Sequence, residues 1–84
     1  MKIAFTESAW NDYLWFNEND RKLLKRINLL IKDALRSPFE GIGKPEPLRG
    51  DLSGYWSRRV NDEHRLVYKV GERRIDFLQA RYHY

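Results

Sequence analysis

Eighty-four residues with no cysteine make one small domain with one core, and they leave no disulfide and no cysteine-ligated metal to staple it. No apolar segment follows Met1 and no long apolar run occurs, so neither a signal peptide nor a membrane contact is expected, and a cytoplasmic protein is. The net charge is +4, but residues 1–20 set Lys2 against Glu7, Asp12, Glu18 and Asp20, so the excess of positive charge lies downstream, where residues 49–84 hold seven arginines and one lysine.

Lys2 to Phe5 reads as a short first strand. Thr6 or Ser8 can cap a helix over roughly Glu7 to Glu18, in which Trp10, Tyr13, Leu14 and Phe16 fall near helical spacing. Asn19 or Asp20 can cap a second helix. There Leu23, Leu24, Ile27, Leu30, Ile31, Ala34 and Leu35 form a stripe at spacings of three and four. Pro38 stops this helix and pushes Ser37 out of helical geometry. Phe39 to Gly54 reads as a Gly/Pro-rich loop. Loops of that length in small domains tend to carry function. Three strands are expected after it, over Tyr55–Val60, Arg65–Val70 and Arg74–Arg81, joined by turns at Asn61-Asp62-Glu63 and Gly71-Glu72. Leu66, Tyr68 and Val70 face one way and Arg65, Val67 and Lys69 the other. Two helices can cover only one face of such a sheet, leaving the other open and lined with arginine. The expected class is α+β: two N-terminal helices on one face of a small twisted, mainly antiparallel sheet, in one domain spanning residues 1–84.

The chemistry-bearing residues fall in three places. Glu46 lies between Pro45 and Pro47, which restrict its backbone, and a fixed carboxylate can act as a general base. An ordinary solvated surface acid fits the same spacing. Arg58, Arg59 and Arg65 lie on neighbouring strands, where one of the first two can join Arg65 in gripping a phosphate and stabilising the charge of a phosphorane-like transition state. A solvated basic face paired with Asp62 and Glu63 is the plainer reading. His83 has a side chain that can protonate a leaving oxygen near neutral pH. His64 is the weaker candidate, better suited to supporting a strand end. Two histidines without cysteines, at no ligand-like spacing, do not suggest zinc. Tyr55, Trp56, Tyr68, Tyr82 and Tyr84 interleave with arginines, a mixture suited to unstacked RNA bases or to cross-strand packing. No P-loop, Rossmann glycine motif or nucleophile elbow is present.

These residues also carry a family likeness. Pro38-Phe39-Glu40-Gly41, Gly43-Lys44-Pro45-Glu46-Pro47-Leu48, Leu52-Ser53-Gly54, Trp56-Ser57-Arg58-Arg59, Glu63-His64-Arg65-Leu66-Val67-Tyr68 and Arg81-Tyr82-His83-Tyr84, in that order and spacing, resemble the YoeB family of bacterial toxins. That family lies within the RelE-like superfamily of ribosome-dependent mRNA endonucleases. The resemblance implies Glu46 as the base on the ribose 2′-hydroxyl, His83 as the acid to the departing 5′-oxygen and Arg65 on the scissile phosphate. It further implies Arg59 as a second phosphate contact, with Tyr84 shaping the site. Lys44, Arg49 and Arg58 complete the expected substrate-binding set. The position after Leu48 is commonly lysine in the family, so Arg49 keeps the charge but changes the donor geometry.

The implied partners are mRNA in the ribosomal A site, the ribosome, an acidic antitoxin, a second copy of the chain, and operator DNA only through the antitoxin complex. No metal or other cofactor is implied. Two other functions fit the same residues: a non-catalytic module that binds RNA, the ribosome or operator DNA as a co-repressor, and a small ribonuclease independent of the ribosome.

Overall fold

The computed structural model describes residues 1–82. Strand β1 (Lys2–Phe5) leads into helix α1 (Glu7–Asn19), and helix α2 (Arg21–Arg36) follows at once. Strands β2 (Glu46–Pro47), β3 (Tyr55–Arg59), β4 (Arg65–Val70) and β5 (Arg74–Gln79) complete the chain. The strands form one sheet in the order β1-β5-β4-β3-β2, with β1 parallel to β5 and the other pairs antiparallel.

Both helices begin where a side chain can accept an orphan backbone N–H. Thr6 caps α1 by accepting from the Ala9 amide at 3.1 Å, and Asp20 caps α2 by accepting from the Leu23 amide at 3.1 Å. Ser37 ends α2 outside helical geometry, as the following proline favours. The α2 stripe contributes Ile27, Leu30, Ile31 and Ala34 to the core, and α1 contributes Ala9 and Phe16. They meet Leu66 and Tyr68 of β4 and Ile75 and Phe77 of β5, all fully buried. Each such side chain removed from water contributes about 1.5–3 kcal/mol.

Three expectations are corrected. Residues 39–54 are not loop throughout: Glu46 and Pro47 form β2 on the sheet edge, and Gly50–Leu52 form a short 3-10 turn. Gly43 enables this return. Its φ of +80° lets its carbonyl meet the Arg59 amide at 2.7 Å, extending the pairing that begins at Glu46–Ser57. Strand β5 stops at Gln79 because its pairing with β4 carries a bulge: Tyr68 pairs Phe77 but Val67 pairs Gln79, leaving Leu78 extra. A bulge bends its strand, and here the chain turns out of the sheet toward α1. The helix-free face is also not bare, since Ser57, Val67 and Arg65 on it are buried.

Candidate active site

The pairing register decides which side chains share the helix-free face. Glu46 pairs Ser57, Ser57 pairs Val67 and Val67 pairs Gln79, so one row crosses four strands. Arg59 pairs Arg65 in the same orientation, two residues along β3 and β4 from that row. That step is about 7 Å. The face therefore presents an exposed carboxylate at the sheet edge and two arginines side by side. Like charges directly opposite one another repel. An anion between them would relieve that cost, which makes the Arg59–Arg65 pair a candidate anion seat.

Arg65 is 8% exposed and its fork is fixed by its own turn. Nη1 donates to the carbonyls of Asn61 at 2.6 Å and His64 at 3.0 Å. A guanidinium held this way loses little further freedom on meeting a phosphate. Arg59 is exposed. Lys44 and Arg49 lie three or fewer residues from Glu46 and are exposed as well. Lys44 has φ of +52°, rare for a residue with a Cβ, and it stands between Gly43 and Pro45. Strain of this kind persists where the surroundings over-determine it, and it clusters at functional sites.

Arg58 is not part of this site, which corrects its expected substrate contact. It pairs Leu66 in register and so faces the helices, where it is 0% exposed. Nη1 donates to Asp33 Oδ2 at 2.6 Å and the Ile42 carbonyl at 3.1 Å. Nη2 donates to the carbonyls of Ser37 and Glu40, and Nε donates to the Tyr68 hydroxyl at 2.9 Å. Every donor is spent, on α2, on the loop after it and on the core Tyr68. The Arg36 and Arg58 guanidiniums hold the Asp33 carboxyl well below the usual carboxylate range. Arg36 is largely exposed and water screens it, so the buried Arg58 is the partner that matters to folding. Burial pushes the Tyr68 hydroxyl up, and the hydroxyl donates to the Pro38 carbonyl at 2.7 Å. Tyr68 is thus a core residue, and Trp56 packs on Phe39 with ring centroids 4.9 Å apart; neither is a base platform.

His83 and Tyr84 lie outside the described residues. The chain that leads to them is placed. The Tyr82 carbonyl accepts from the Arg65 amide at 3.2 Å, and the Tyr82 amide donates to His64 Nδ1 at 2.8 Å. Sequence reasoning left His64 as strand support. It does serve that end, since its carbonyl accepts from Val60, but its ring also grips the last described residue. Asp12 was not singled out at all. Its Oδ2 accepts from the amides of Ala80 and Arg81 at 2.9 and 3.2 Å, a contact across 68 residues that no local spacing announces.

The matches to known proteins agree with this fold. A family model described as the YoeB-like toxin of bacterial type II toxin-antitoxin systems matches residues 5–84. The chain belongs to the YoeB-like toxin family. It is 67% identical to the toxin YoeB of Synechocystis over 84 residues, all of this chain and 98% of that relative. The YoeB dimer from Staphylococcus aureus superposes with a TM-score of 0.93 at 48% identity, covering 100% of this chain and 98% of that one. The heterotetrameric YoeB-YefM toxin-antitoxin complex from the same organism gives 0.92 at 48% identity, with the same coverage. This chain thus has the YoeB fold, two helices on a five-stranded mixed sheet.

Proposed function

We propose that this toxin is a metal-independent endoribonuclease that cleaves mRNA in the ribosomal A site and so stops translation. The observation that carries the reading is the shared face: Glu46 on the edge strand, with the Arg59–Arg65 pair one step along the sheet and the Tyr82 carbonyl bonded to the Arg65 amide. Glu46 takes the proton of the ribose 2′-hydroxyl. The 2′-oxygen attacks the adjacent phosphorus and the P–O5′ bond breaks. His83 gives its proton to the departing 5′-oxygen, while Arg65 and Arg59 bear the charge on the equatorial oxygens. The products are a 2′,3′-cyclic phosphate and a 5′-hydroxyl. Lys44 and Arg49 hold neighbouring phosphates, and Tyr84 shapes the pocket. The ribosome supplies alignment of the RNA, which places the activity in the cytoplasm. An antitoxin binds and neutralises this toxin, a reading supported by the existence of the YoeB-YefM complex of S. aureus, and a second copy pairs with it, as in the YoeB dimer. Operator DNA is reached through the antitoxin complex.

Mapping 5′ ends on a defined mRNA, with and without stalled ribosomes, tests this. Cuts at the A-site codon that need both ribosomes and Glu46 are expected. Intact mRNA alongside arrested translation would replace cleavage with a blocking role, and ribosome-independent cutting would remove the ribosome from the mechanism.

A further inference from the structure

Tyr82 is held at several points in a conformation rare for a residue with a Cβ. Its φ is +61°, in the left-handed region that costs a residue with a Cβ about 1–2 kcal/mol. Its amide is bound by His64 Nδ1 and its carbonyl by the Arg65 amide. Its ring lies 5.4 Å from the His64 ring, and its hydroxyl accepts from Arg81 Nη2 at 2.9 Å. The two residues before it are fixed by Asp12 from α1, and the Arg81 guanidinium lies 3.9 Å over the Trp15 ring. His64 itself is 5% exposed and set edge-on against Phe16 at 5.2 Å, with Nε2 3.3 Å from Glu63 Oε1. An Nδ1 that accepts from a backbone amide carries no proton, so the ring proton resides on Nε2, toward Glu63.

From this geometry we infer that His64 and Asp12 are positioning residues. Together they form a clamp, from β4 and from α1, that holds residues 80–82 in a strained turn beside Arg65. The clamp fixes the point from which His83 and Tyr84 depart. It makes residues 80–82 a preorganised part of the catalytic face. Neither side chain touches the reacting atoms; each acts through the backbone it holds. This inference rests on the endoribonuclease reading for its consequence, but the clamp itself is a structural claim with its own readout.

Three variants test it. His64→Phe keeps a ring against Phe16 and Tyr82 and removes the acceptor. Asp12→Ala removes the second acceptor, and Asp12→Asn keeps one oxygen in place. Thermal unfolding selects conditions in which each variant is folded. Amide hydrogen exchange is then read at Arg65, Ala80, Arg81 and Tyr82, beside the single-turnover rate on mRNA in stalled ribosomes. Affinity is read with an uncleavable 2′-deoxy mRNA. We expect faster exchange at Tyr82 and Arg65 in His64→Phe, and at Ala80 and Arg81 in Asp12→Ala. The cleavage rate should fall about a hundredfold in each, the scale of an ångström-level misplacement, with affinity unchanged. Asp12→Asn should stay near wild type. Loosened amides with a wild-type rate, or unchanged amides in both variants, would overturn the inference. Were the wild type itself unable to cleave, the endoribonuclease reading would fall, and exchange alone would decide the clamp.

Discussion

At the scale of single residues, two adjacent arginines on one strand do opposite jobs because successive side chains in a strand point to opposite faces. Arg59 looks out beside Arg65, and Arg58 looks into the core. Arg58→Met should cost about 3–5 kcal/mol in chemical denaturation, since it removes the buried partner of Asp33 and leaves the carbonyls of Ser37, Glu40 and Ile42 without this donor. Arg59→Gln should leave stability within about 0.5 kcal/mol while slowing cleavage. Glu46→Gln should lower the cleavage rate by about a hundredfold or more with unfolding unchanged, as expected for an exposed general base. Equal loss of stability in the Arg58 and Arg59 variants would contradict the assignment of faces.

Asp33 links the same cluster to pH. Its folded carboxyl binds a proton less readily than the unfolded one, so deprotonation favours folding. The stabilisation is complete above the unfolded carboxyl's value, near 3.9, and is lost as pH falls from there through the lower folded value. Urea midpoints should therefore drop below about pH 4. Asp33→Asn should start lower at neutral pH and depend less on acid.

At the scale of elements, the candidate site depends on the segment 39–54 folding back so that Glu46 and Pro47 form the edge strand. Gly43 is where that return is most constrained. A Cβ there would lie 2.6 Å from Leu30 Cδ2 and 3.1 Å from Arg58 Cβ, at a φ of +80°. Gly43→Ala should lower the thermal midpoint and also the cleavage rate, because it disturbs the register that places Glu46. A variant that loses stability but cleaves at the wild-type rate when folded would separate the loop from the site.

The helices and the three long strands were legible in the sequence because their periodicity, caps and Pro38 all agreed. Strand β2 was not legible, because two residues flanked by prolines carry no alternation. Arg58 was half legible: it shares the parity of Trp56, whose partner in register is the core residue Tyr68, so alternation alone pointed inward. The sequence left open which of Arg58 and Arg59 joins Arg65, and both stayed in the expected substrate-binding set. Asp12 and the acceptor role of His64 depend on where a bulge at Leu78 sends the chain, a tertiary event with no local signature.

At the scale of the molecule, a net charge of +4 with arginine concentrated in residues 49–84 gives one chain two kinds of cation. Some are buried in hydrogen bonds and hold the fold, and on the proposed reading exposed ones such as Lys44, Arg49 and Arg59 meet phosphates. Engagement of mRNA should weaken as salt rises, and each phosphate contact contributes about one unit to the logarithmic slope. Arg49→Gln should reduce that slope by about one, and Arg49→Lys should leave it unchanged. An unchanged slope in Arg49→Gln would take Arg49 out of the RNA path.

No measurement bears on the proposed chemistry more directly than cleavage of an mRNA carrying a single 2′-deoxyribose at the cut nucleotide, held in the A site of a stalled ribosome. If Glu46 acts on a 2′-hydroxyl, that position stays intact, binding is unchanged, and the unmodified mRNA yields a 2′,3′-cyclic phosphate and a 5′-hydroxyl. Efficient cutting at the deoxy position would contradict the transesterification and leave Glu46 without its role as base.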